Sequence, residues 1–145
     1  MATYNKFNQF VEDAAHGVHD LATDALKIML TNSAPVATNE IFANLTEISA
    51  GSGYSAGGSV ATQSLSAQAS GVYQLKLGDV TFTASGGTIG AFRYAVLYND
   101  TPVSPADPLI AWWDYGSSIT LQDGETLTVD MGATSSPQDL VLTIT

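Results

Sequence analysis

Apolar residues recur at spacings of three and four over the first eighteen positions. Tyr4, Phe7, Phe10, Val11, Ala14 and Val18 form one stripe, with Asn5, Asn8, Glu12 and Asp13 opposite. That period predicts an amphipathic N-terminal helix within a helical segment spanning 1–21. Thr3 suits its start and Gly17 its stop. The aromatic stripe is expected to cover one face or end of a sheet.

After His19-Asp20 the period falls to two. Leu26, Ile28 and Leu30 alternate with Lys27, Met29 and Thr31, which predicts a half-buried strand ended by Asn32-Ser33-Ala34-Pro35. Ile41, Leu45 and Ile48 suggest a short helical turn. Residues 51–70 open with a cluster of glycines and serines and stay rich in Ser, Gln and Ala, predicting a loop, an extended arm or an edge strand. From Val72 the alternation is strong. Tyr73, Leu75 and Leu77 share one parity and Val80, Phe82 and Ala84 the other, so Gly78-Asp79 reads as a bulge or corner. Phe92–Tyr98 predicts a further strand, and Leu109–Tyr115, apolar on both faces, a central one. Ile119–Leu121 and Leu127–Met131 flank Gln122-Asp123-Gly124-Glu125 like the arms of a hairpin, and Leu140–Ile144 predicts the last strand. With no strand–helix–strand alternation, the fold class is mainly β: an antiparallel β-sandwich or jelly-roll-like single domain, 1–145, with an N-terminal amphipathic helix.

Composition narrows the function. Hydrophobic residues make up 45% of the 145, enough for a core, but charged residues only 12%, about half the usual share of about 25%. A surface poor in long charged side chains loses little rotamer entropy when covered, which suits association with protein. The net charge is −10, with only Lys6, Lys27, Lys76 and Arg93 as cations. Four scattered cations make no phosphate-binding face, so neither nucleic acid nor an anionic membrane is an expected partner. With no cysteine there is neither a disulfide nor a thiolate metal site. The opening residues do not resemble a leader, and no apolar run reaches the ~18 residues of a membrane span, so synthesis as a soluble cytosolic chain is expected. The Asn44 and Asn99 sequons would then stay unmodified.

Several motifs suggest chemistry without its context. Gly53-Tyr54-Ser55-Ala56-Gly57 matches the G-x-S-x-G nucleophile elbow, yet no strand–turn–helix pattern surrounds it, and both histidines precede Ser55. His16 and His19 lie near Asp13 and Asp20, but a metal site needs further convergent ligands. Asp107, Asp114, Asp123, Glu125 and Asp130 fall near turns without a calcium-loop motif. No catalytic, cofactor-binding or metal-ligating residue is therefore assigned, and an enzyme is not expected. Trp112 and Trp113 must face opposite sides of a strand, one toward the core and the other toward the helix or a partner. The candidate partner-contact residues are Tyr4, Phe7, Phe10 and Trp112.

Four stretches carry a resemblance. They are Thr3-Tyr4-Asn5-Lys6-Phe7-Asn8-Gln9-Phe10-Val11-Glu12-Asp13 with Gly17-Val18-His19-Asp20-Leu21, then Leu30-Thr31-Asn32-Ser33-Ala34-Pro35, Phe92-Arg93-Tyr94-Ala95-Val96-Leu97-Tyr98-Asn99-Asp100, and Trp113-Asp114-Tyr115-Gly116-Ser117-Ser118-Ile119-Thr120-Leu121. Together the chain resembles small virion structural proteins of tailed bacteriophages. The resemblance implies a capsid decoration (cement) protein on the outer capsid surface, bound to the major capsid protein and arranged as a homo-oligomer. The alternative it leaves is a tail- or fibre-associated adhesin using Tyr54, Tyr98 or Tyr115.

Overall fold

Residues 109–121 form the longest strand among the described residues, buried over Leu109–Trp113 and largely exposed beyond Tyr115. The computed structural model describes residues 3–131 and 142–144. In chain order the elements are β1 (Thr3–Lys6), α1 (Gln9–Ala15), β2 (Leu26–Thr31), a 3-10 turn (Phe42–Asn44), β3 (Ser59–Val60), β4 (Gln63–Ala69), β5 (Val72–Leu77), β6 (Val80–Thr83), β7 (Ile89–Asn99), β8 (Leu109–Leu121), β9 (Thr126–Val129) and β10 (Leu142–Ile144). They build three antiparallel sheets: β1-β8-β7-β2-β3, β10-β5-β4 and β6-β9.

The large sheet is buried on both faces at its centre, Tyr94–Asn99 of β7 and Leu109–Trp113 of β8, which is why these stretches read as apolar at successive positions. Leu26, Ile28, Leu30, Ala95, Leu97, Ala111 and Trp113 enter one core with Leu75, Leu77, Val80, Phe82 and Val129 of the smaller sheets. Met29, Tyr94, Val96, Tyr98 and Trp112 point the other way, into a second cluster closed by Phe7, Leu45, Ala37 and Phe42. Strand alternation sends Trp112 and Trp113 to opposite clusters, as their adjacency requires.

Several sequence expectations change. The helical segment expected over 1–21 is confined to α1, because residues 3–6 pair with the edge of β8, Tyr4 opposite Trp113. Gly17, at φ +73°, does lie just past the helix. The aromatic stripe is divided: Phe7 fills the second cluster, Phe10 the first, and Val11 is exposed. β2 is buried on both faces, since segment 32–48 covers Met29.

Gly78-Asp79 is a crossing between sheets, with β5 in one and β6 in another. The parity shift is the trace of that crossing. The turn at 122–125 exists, the N–H of Glu125 donating to the Gln122 carbonyl, but β9 pairs with β6 rather than folding back on β8. Leu140 lies outside the described residues, and Leu142–Ile144 pairs with β5.

Candidate interaction surface

The four candidate contact residues do not form a surface patch. Phe7, Phe10 and Trp112 are buried within the chain, with Phe7 and Trp112 rings 4.5 Å apart. Reaching a partner would mean extracting them from the core, at about 3–5 kcal/mol for each large aromatic side chain. Their proposed contact role is corrected accordingly: they are packing residues. Tyr4 alone of the four keeps substantial exposure, 42%, while its ring packs edge-on against Trp113 at 5.6 Å. Of the aromatics named for an adhesin, Tyr54 and Tyr98 are buried and Tyr115 is half-buried.

Segment 51–58 is clasped to the large sheet. The Tyr54 hydroxyl donates to Glu47 Oε1 (2.7 Å) and accepts the Leu30 N–H (3.0 Å). The same carboxylate oxygen accepts the Gly57 N–H (2.6 Å), and the Tyr98 hydroxyl donates to the Gly57 carbonyl (2.6 Å). Burial, foremost, pushes both phenols above their ordinary range. Gly58 is required here: it sits at φ +79°, and a Cβ would collide with the Ile28 carbonyl oxygen. Ser55 is exposed in this turn, its carbonyl accepting the Gly58 N–H, and β3 rather than a helix follows.

The histidines separate. His16 is exposed, with Nδ1 3.7 Å from Glu12. His19 packs against Phe10 in a corner built by α1, residues 20–25 and the end of β7. Its tautomer follows from the neighbours. Asn99 Oδ1 accepts the Thr101 N–H, so the Asn99 amide nitrogen faces His19 Nδ1 (3.1 Å) and Asp24 Oδ2 (2.6 Å). His19 Nδ1 therefore accepts, and the neutral ring carries its proton on Nε2. Burial lowers the His19 pKa, against the opposing fields of Asp13 and Asp24. Among the described residues no three His, Asp or Glu side chains converge as metal ligands.

Three of the turn acids serve backbone groups. Asp123 accepts the Gly86 N–H, Glu125 the Gln122 N–H, and Asp114 the Gly116 N–H while gripping Arg93 at 2.8 and 3.1 Å. The Arg93 hydrogen bond holds the Asp114 carboxyl below its usual range.

The β4–β5 hairpin is different. Ser70 (φ +51°) and Gly71 (φ +79°) form its two-residue turn, the primed type that suits strand twist. Tyr73, Leu75 and Leu77 face the core, with Ser66 bonded to the Tyr73 hydroxyl at 2.8 Å. Leu65, Ala67, Ala69, Val72, Gln74 and Lys76 therefore share the outer face. Ala67 to Gly71 are exposed, and Lys76 is the one charged residue between Glu47 and Asp79. Of the loop, extended arm or edge strand expected over this stretch, residues 63–69 form the strand, and its partner β5 was not anticipated. The Ser70-Gly71 dipeptide was the available signal. No protein-family model matches the chain, and no curated protein or solved structure matches it either.

Proposed function

We propose that the chain is a non-enzymatic bacteriophage virion structural protein, a capsid decoration (cement) protein seated on the outer surface of the major capsid protein lattice. In this proposal the five-stranded sheet and the smaller sheets are the layers of a sandwich or jelly-roll-like rigid body. The observation that carries it is a surface one: the β4–β5 hairpin, exposed from Ala67 to Gly71, has Lys76 as its one charge and rises from a base in which Phe7, Phe10, Tyr54, Tyr98 and Trp112 are buried. Covering such a surface costs little side-chain entropy and strips few charges of water. The net charge of −10 disfavours contact with packaged DNA and so favours the outer face of a shell. Weak contacts repeated over a lattice would add up by avidity.

Purified virions test this. Mass spectrometry should find hundreds of copies per particle, and removing the protein should lower the temperature at which heads release DNA. A handful of copies would favour the tail-associated alternative. Unchanged heat stability after removal would contradict a cementing role. The burial of Tyr54 and Tyr98 leaves that alternative with Tyr115 alone among its named aromatics.

A further inference from the structure

Strand β4 has one edge paired with β5, and among the described residues no strand pairs with its other edge. Exposed edges are ordinarily blunted by charge, proline or brevity, because a free row of N–H and C=O groups templates pairing with another chain. β4 has none of these protections. Its sequence Gln63-Ser64-Leu65-Ser66-Ala67-Gln68-Ala69 carries no charge and no proline over seven residues. Three other outer strands are guarded. β1 carries Lys6, β3 has two residues, and β9 is bracketed by Glu125 and Asp130.

The hairpin fixes which groups are offered. Ala69 and Val72 flank the two-residue turn, so they form a hydrogen-bonded pair, and Ala67 with Gln74 forms the next. Ser66 and Gln68 therefore turn their backbone N–H and C=O groups away from β5. The register with β5 shifts between Gln63 and Leu65, which leaves Leu65–Ala69 as the regular stretch.

We propose that this edge pairs with the same edge of a second copy, antiparallel about a two-fold axis at Ala67. Ser66 of each copy then lies opposite Gln68 of the other, and each such pair exchanges both backbone bonds. On the outer face Leu65 meets Ala69 and Ala67 meets Ala67, so one small apolar surface runs across the axis. An isologous contact needs this self-complementarity. Charge selects the same place. Two copies at −10 each repel, and no acidic residue occurs between Glu47 and Asp79, so β4 and β5 themselves bring no carboxylate to the contact. The pairing is independent of the virion proposal: it concerns the chain's own association, whatever the assembly does.

Sedimentation equilibrium on the full chain, over a wide concentration series, tests it. The wild type should approach twice the single-chain mass of 15.1 kDa, and reach it at lower concentration in higher salt, where repulsion is screened. Ala67→Lys places two cations face to face and should hold the mass at one chain. Ala67→Glu should do the same, and an equimolar mixture of the two variants should regain the double mass. Circular dichroism should show all three chains equally folded, since Ala67 is exposed. A wild type that stays at 15.1 kDa, or settles at any multiple other than two, overturns the pairing. So does an Ala67→Lys variant that still doubles, or a mixture that does not.

Discussion

Segments 51–58 and 63–69 are near neighbours with the same small, uncharged composition, yet the fold treats them oppositely. The first is held by groups from elsewhere in the chain: Glu47, the Leu30 N–H and the Tyr98 hydroxyl converge on Tyr54 and Gly57. The second is held along one side by β5 and, at its start, by the Gln63 amide donating to the Leu21 and Asp24 carbonyls. Tyr54, together with the Glu47 and Tyr98 bonds to Gly57, separates the two outcomes. Tyr54 supplies a ring that packs on Phe82 and a hydroxyl that completes a buried network. Residues 63–69 contain no side chain of that kind. Low-charge sequence thus yields a fixed turn where an anchor exists and an open edge where none does.

Removing the anchor should erase the difference. Tyr54→Ala is expected to destabilise the fold by about 3–5 kcal/mol, the usual loss for a large buried aromatic, measured by urea unfolding. Gly58→Ala combines a left-handed backbone with a Cβ against the Ile28 carbonyl. It should cost about 2–4 kcal/mol, summing strain and overpacking. Tyr54→Phe keeps the ring but leaves the Leu30 N–H without its acceptor and removes one of the two donors to Glu47 Oε1, the Gly57 N–H remaining. A loss of about 1–3 kcal/mol is expected, small enough for the chain to remain folded while segment 51–58 loosens.

Acidification probes the corner beneath the hairpin, where His19, Leu21, Ser66 and Tyr73 line one open pocket. The folded chain holds His19 below its usual pKa, so below about pH 6.5 the unfolded chain takes up the proton first. Stability should fall as pH drops from about 6.5 toward the lower folded value, then level off with respect to this group. His19→Gln should remove that step from a series of urea titrations across pH. A step retained in the variant would mean that other groups cause it. Smallest of all should be Ala67→Lys, which is expected to leave unfolding of the isolated chain within about 0.5 kcal/mol.

The mainly β class was legible because alternation from Val72 onward is a local property of the chain. Sheet membership was not. The parity change at Gly78-Asp79 marks a crossing, and β9 chooses β6 over its sequence neighbour β8, choices set by long-range pairing. The stripe at Tyr4, Phe7 and Phe10 fits a helix period, but the free edge of β8 captured residues 3–6 as a strand. That is tertiary context overriding local preference. The same event explains why contact residues chosen for being aromatic proved to be core: Phe7 and Trp112 close the second face of the large sheet. The open edge was half visible. Its lack of charge can be read from the sequence, whereas its exposure depends on which strand β5 pairs with.

Backbone amide exchange, followed residue by residue at rising protein concentration, tests the central contrast most directly. Gly57 and Tyr54 should be slow at every concentration, because their N–H groups are held by Glu47 and the Gly51 carbonyl. Ser66 and Gln68 should exchange fast in dilute solution and slow as the chains pair, while Ala67 and Ala69, bonded to β5, stay slow throughout. Fast exchange at Gly57, or protection of Ser66 and Gln68 that is independent of concentration, would contradict a clasped turn beside an open, self-pairing edge.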